Sequence, residues 1–128
     1  MNTKGIIIQP SAYPVKETID RLQAFLQQHG ATIYARIDQQ AELQKAGINI
    51  SQLEFILFGN PKAGGPIMVE NPVAALDLPL KVIAWKDDQQ NVFIAYNDAL
   101  YIEDRYSFLH NANSPLNLDN LVSMALKP

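Results

Sequence analysis

FILFGNPKAGGPIMVENPVAALDLPLKVIAWKDDQQNVFIAY, residues 55–96, runs from an apolar segment through a Gly/Pro-rich loop and a small-residue segment into two further apolar runs. Residues 55–58 are continuously apolar and are stopped by Gly59-Asn60-Pro61, the pattern of a buried strand ending at a turn. Gly59 permits a close backbone approach, Asn60 tolerates left-handed geometry, and Pro61 biases Asn60 away from helical angles, so a chain reversal is expected here. Gly64-Gly65-Pro66 then predicts a helix start with Pro66 in its first turn, and Pro72 opens a second brief helical segment to Leu76. In residues 80–85, Leu80, Val82 and Ala84 alternate with Lys81, Ile83 and Trp85, a run apolar on both faces that suits a central strand. The polar turn 87–91 and the apolar run 92–96 complete a β-hairpin.

Phe58-Gly59-Asn60-Pro61 and Ala75-Leu76-Asp77-Leu78-Pro79 are the motifs by which this chain resembles the family catalogued as domain of unknown function 302. The resemblance covers most of the chain, from about Tyr13 to the C-terminus. It implies a fold similar to the TATA-binding-protein-like class, a helix-backed and mostly antiparallel sheet, and it implies no settled activity.

Working outward, the β-branched residues 6–8 between Gly5 and Pro10 predict a first strand that meets an edge or a bend at Pro10. Pro14 opens a helix whose stripe is Val15, Ile19, Leu22 and Leu26, and Gly30 ends it. Ile33, Ala35 and Ile37 alternate with Tyr34, Arg36 and Asp38, the pattern of a half-buried strand with one more polar face. Residues 39–46 form a two-turn helix stopped by Gly47, residues 98–109 predict a helix, and Leu118, Leu121, Val122 and Leu126 make the stripe of a last helix with Asn117 as its N-cap. The expected architecture is α+β, an antiparallel sheet of about five strands covered on one face by the first and last helices.

A chain of 128 residues is one ordinary domain, 1–128, able to bury a core without a staple. Hydrophobic residues at 48% and charged residues at 18% are those of a globular protein. A net charge of −3 with no Lys/Arg cluster argues against a nucleic-acid partner, whose affinity rests largely on concentrated positive charge, and none is expected. With no cysteine there is no thiol nucleophile, disulfide or thiolate metal site. The apolar start at Gly5-Ile6-Ile7-Ile8 is too short for a leader or a membrane span, so the expected location is cytoplasmic with no membrane partner.

The best candidate site is the loop Phe58, Gly59, Asn60, Pro61, Lys62, Gly64 and Gly65, joined by Asp77 and Tyr96. A loop that leaves a strand and enters a helix can hold an anion with its backbone N–H groups, and Lys62 adds a positive charge. The pattern is neither a Walker A loop nor a dinucleotide fingerprint, and the plainer alternative is a tight reversal over the core. Asp77, a carboxylate among apolar neighbours, is either a site residue or an acceptor for loop N–H groups. Of the two histidines, His29 sits at a helix end and His110 beside a loop, and neither has zinc-motif spacing, so no metal site is expected and no cofactor is specified. Glu103 and Asp104 read as solvated helix charges. The leading expectation is a small-molecule or anion-binding module. The alternatives are a homodimeric interaction protein paired through a sheet edge or the apolar hairpin surface, and an enzyme using Asp77 with a histidine as its acid–base pair.

Overall fold

The computed structural model describes residues 2–111 and 113–128. Strands β1 (Asn2–Thr3), β2 (Ile6–Ser11), β3 (Thr32–Asp38), β4 (Leu53–Gly59), β5 (Leu80–Lys86) and β6 (Val92–Asn97) form one antiparallel sheet in the order β1-β2-β6-β5-β4-β3. All the strands expected from sequence lie in it, with β5 in its interior, and the two-residue β1 is added at one edge. Helices are α1 (Val15–Gln28), α2 (Gln39–Lys45), α3 (Pro61–Glu70), α4 (Ala99–Arg105) and α5 (Asp119–Ala125), with a 3-10 turn at Pro72–Leu76.

Alternation along β4, β5 and β6 sends Ile56, Phe58, Val82, Ala84, Ile94 and Tyr96 to one face, where they meet the stripes of α1 and α5. Ile19, Leu22 and Leu26 of α1 are completely or almost completely removed from solvent against this face. A second, smaller cluster of Ala74, Ala99, Ile102, Tyr106 and Leu116 closes one end of the sheet, and Leu80 packs against both clusters. The opposite face carries Phe55, Leu57, Ile83, Trp85 and Phe93, which stay half-exposed, and no buried cluster forms on it among the described residues. That face is more apolar than the polar face anticipated from β3.

The expected alternation in β3 breaks at a register shift between Ile33 and Ala35. A bulge places an extra residue in one strand and so exchanges the faces of every residue beyond it. Ile33 therefore pairs with core-facing Phe58, whereas Ala35 and Ile37 pair with Leu57 and Phe55 on the open face, and Arg36 turns to the helix side opposite Ile56. There its guanidinium contacts Glu54 at 2.6 Å and Asp20 at 2.6 Å, so this charge on an edge strand is used within the fold. A planar guanidinium suits such a two-carboxylate bridge between strand and helix.

Two further helical expectations are corrected. The helix predicted to begin at Gly64-Gly65-Pro66 begins at Pro61. Asn60 is its N-cap, accepting the Lys62 N–H at 3.0 Å, and Pro61 takes the first helical position, where its fixed φ and missing N–H carry no penalty. Cap and proline together outweigh two glycines and the internal Pro66. The helix predicted over residues 98–109 spans only Ala99–Arg105, because Ser107 adopts a left-handed backbone and Phe108 N–H turns back to the Glu103 carbonyl at 2.8 Å.

Candidate functional site

A cavity of about 310 Å³ opens between the C-terminal end of α1, the start of α3, the ends of β4 and β5, and the segment 115–121. Its position follows from the elements. Phe58 and Leu80 are core-face residues at adjoining strand ends, Leu26 is the last residue of the α1 stripe, and Leu118 and Leu121 come from the approach to α5 and its first turn. On α3, Asn60, Gly64 and Met68 recur at helical spacing and turn one face to the cavity. Gly64 matters because a Cβ there would meet nothing within 4 Å.

Polar groups gather at one end. The Nδ1 of His29 lies 2.8 Å from the Phe25 carbonyl and its ring stacks on Phe25 with centroids 4.1 Å apart. Asn60 spends its Oδ1 on the helix cap, and a Cβ on Gly30, the residue after His29, would stand 3.9 Å from Asn60 Nδ2. Tyr34, at the β3 bulge, lies against Gly59, with 3.5 Å between its ring and a Cβ built there. No lysine, arginine, aspartate or glutamate lines the cavity among the described residues.

Of the residues singled out in the sequence, Phe58, Gly59, Asn60, Pro61 and Gly64 line this cavity. Lys62 is exposed, and Gly65 is half-buried off the cavity wall. The first turn of α3 leaves few donors for an anion. Pro61 has no N–H, Lys62 N–H goes to Asn60 Oδ1, and the N–H groups of Ala63 and Gly64 go to the Asn60 carbonyl at 2.9 and 2.8 Å. Tyr96 is buried elsewhere, donating to Asp119 at 2.8 Å and accepting from Gln9 at 2.8 Å. Burial first, and then the bond to Asp119, push its phenol well above the usual tyrosine range.

Asp77 lines a second, smaller cavity together with Lys81 and Asn97. It accepts from the Tyr106 hydroxyl and, at 3.1 Å, from Arg105, rather than from loop N–H groups. The hydrogen bond to Asp77 raises the Tyr106 phenol. Neither histidine bonds to Asp77. Among the described residues no group of three His, Asp or Glu side chains could hold a metal ion. Glu103, read as a solvated charge, is only 3% exposed, and its Oε1 has no partner among the described residues.

The other histidine offers a direct pH readout. His110 Nε2 stands 2.6 Å from Asp104 Oδ1, and this hydrogen bond, with the carboxylate charge, raises the imidazole above its ordinary 6.5. The folded state thus favours the protonated ring, and the associated stability is fully present below the unfolded value and is lost as pH rises through the folded midpoint. An NMR titration should place the His110 midpoint above 6.5 and return it toward that value in Asp104→Asn. A wild-type midpoint at or below the ordinary value would contradict the pairing.

Tyr34 and the leucines of 116–121 were not legible as cavity-lining residues. Leu26, Leu118 and Leu121 stood in helical stripes, and Asn60-Pro61 is a cap-plus-first-position pair that signals a helix start.

The fold is an α+β domain of the kind seen in the crystal structure of an uncharacterized conserved DUF302 protein from Bacillus stearothermophilus. The two agree with a TM-score of 0.78 over 97% of each chain at 17% identity. Residues 7–122 match the family described as Domain of unknown function DUF302, and the chain belongs to that family. It is also similar to two proteins named as fluoride-specific ion channels, FluC 1 of Brucella suis and FluC 2 of Brucella melitensis. Each is 33% identical over 103 residues, which is 80% of this chain but 41% and 38% of those proteins. The chain spans about two-fifths of the length of these relatives. Among the described residues no helix is long and apolar enough to cross a membrane.

Proposed function

We propose that this chain is a small-molecule-binding module of the cytoplasm whose site is the cavity walled by Phe58, Gly59, Asn60, Pro61 and Gly64. The observation that carries the reading is the cavity itself, about 310 Å³, mostly apolar, with a few polar groups at one end. That is the usual composition of a small-ligand site, at the small end of the size range. Of the two ligand classes expected from sequence, an uncharged molecule suits it better than an anion, because the α3 donors are engaged and no lysine or arginine lines the wall. In the relatives named fluoride-specific ion channels the matched region is the minor part of the protein, which supports an attached module. A small, strongly hydrated anion would find no cation here, so fluoride is not the proposed ligand. Thermal unfolding with and without saturating toluene tests the reading. Occupancy at 100 times the dissociation constant stabilises by about 2.7 kcal/mol, and the melting temperature should rise accordingly. An unchanged melting temperature with toluene and with other small apolar probes would remove the cavity as a site.

The open sheet face favours a second reading, a homodimer. Phe55, Ile83 and Ala95 pair in a row across β4, β5 and β6, flanked by Leu53, Trp85 and Phe93 in the next. Two copies stacked on this face would bury Trp85, the single tryptophan. Sedimentation at rising concentration should then show a dimer forming as Trp85 emission shifts to the blue. A species that stays at 14.3 kDa with constant emission would count against it.

A further inference from the structure

We infer that the ligand is a neutral amphiphile, a compact apolar body ending in a group that both donates and accepts hydrogen bonds, held between His29 Nε2 and Asn60 Nδ2. This rests on the cavity reading above and specifies its chemistry.

A carbonyl oxygen can only accept, so the 2.8 Å contact from His29 Nδ1 to the Phe25 carbonyl places the proton on Nδ1. In the neutral ring Nε2 is then a bare acceptor, on the ring edge away from that bond. Asn60 is fixed in the opposite sense. Its Oδ1 takes the Lys62 N–H, which leaves Nδ2 with donors that have no partner among the described residues. Both residues line the cavity, and Gly30, which follows His29 directly, lies close to Asn60, its missing Cβ 3.9 Å from Asn60 Nδ2. Tyr34, whose hydroxyl serves either role, stands on the same rim.

Charge selects further. A carboxylate offers only acceptors, so it would satisfy Asn60 but could bond His29 only by drawing a second proton onto the ring, with no arginine or lysine to help balance it. An ammonium would satisfy His29 and find no carboxylate. Either ion would enter a mostly apolar wall that carries no fixed opposite charge, which is disfavoured. A hydroxyl or a primary amide satisfies both groups with no net charge. At roughly 30 Å³ per water-sized group, the cavity holds on the order of ten non-hydrogen atoms.

Calorimetric titration of the full chain with octane, 1-octanol, octanamide and octanoate tests this. Octanol and octanamide should bind about tenfold or more tighter than octane and octanoate. Asn60→Asp keeps a side-chain cap for α3 but replaces the donor by an acceptor, and it should reduce the preference for octanol over octane while leaving the bond to His29. His29→Phe keeps the stack on Phe25 and should weaken octanol without weakening octane. Equal binding of all four probes would overturn the head-group assignment while leaving the cavity as a site, and tightest binding of octanoate would overturn it in favour of an anion. Binding of none would overturn both. An octanol preference undiminished by either substitution would overturn the two named partners.

Discussion

Gly64→Leu is expected to leave the protein folded, to raise its stability by about 0.5–1 kcal/mol, and to lower the affinity of the cavity for 1-octanol at least about tenfold. Gly64 lies inside α3 with an ordinary helical backbone, so a residue with a side chain loses less conformational freedom there on folding. Its Cβ position is open, and the direction it shares with Met68 is into the cavity. A leucine would thus occupy the volume assigned to the ligand. The neighbouring Gly65→Ala is the matched control, since Gly65 is also helical, also open at Cβ, and off the cavity wall. It should give a similar gain in urea unfolding with octanol affinity unchanged. Equal losses of affinity in both variants would mean that α3 as a whole, and not the cavity, governs binding.

Ile56→Ala is expected to cost about 3–4 kcal/mol in urea unfolding, against about 1–2 kcal/mol for Ile83→Ala. Both are interior-strand isoleucines one pairing step apart, Ile56 opposite Val82 and Ile83 opposite Phe55. They differ in face. Ile56 is 0% exposed beneath α1, where truncation leaves a cavity that a packed helix cannot collapse to fill. Ile83 is half-exposed on the open face, so less apolar surface is returned to water and the site can relax. Measured at low micromolar concentration, where a dimer would be least populated, similar costs would contradict a one-sided helical layer.

What sequence could show of this chain tracks how local the signal is. Strand content and the hairpin of β5 and β6 were legible because alternation and a polar turn are read within a few residues, and α1 was bounded by Pro14 and Gly30 for the same reason. The bulge in β3 was not, because Ile33, Ala35 and Ile37 alternate whether or not an extra residue is inserted; only the partner strand reveals the shift. The start of α3 was misplaced by weighing Gly64-Gly65-Pro66 as punctuation above the Asn60-Pro61 cap. For the candidate site, the wall from Phe58 to Gly64, Asn60 included, was visible as one unusual stretch, but the residues that face it across the cavity were not. His29 and Asn60 both line the cavity, from the end of α1 and the β4–α3 junction, which approach where Gly30 lies beside Asn60, and the lining leucines come from the C-terminal part of the chain. Asp77 illustrates the same limit, since its partners Arg105 and Tyr106 lie 28 and 29 residues away.

The central claim is that a small apolar molecule occupies this cavity with its polar end at His29 and Asn60. Intermolecular NMR contacts between 1-octanol and the full chain test it most directly. The octyl protons should contact the methyl groups of Leu26, Leu116 and Leu121, with the carbinol protons nearest His29. Contacts confined to Trp85 and Phe93 on the open sheet face, or none at all under conditions where octanol stabilises the fold, would contradict it.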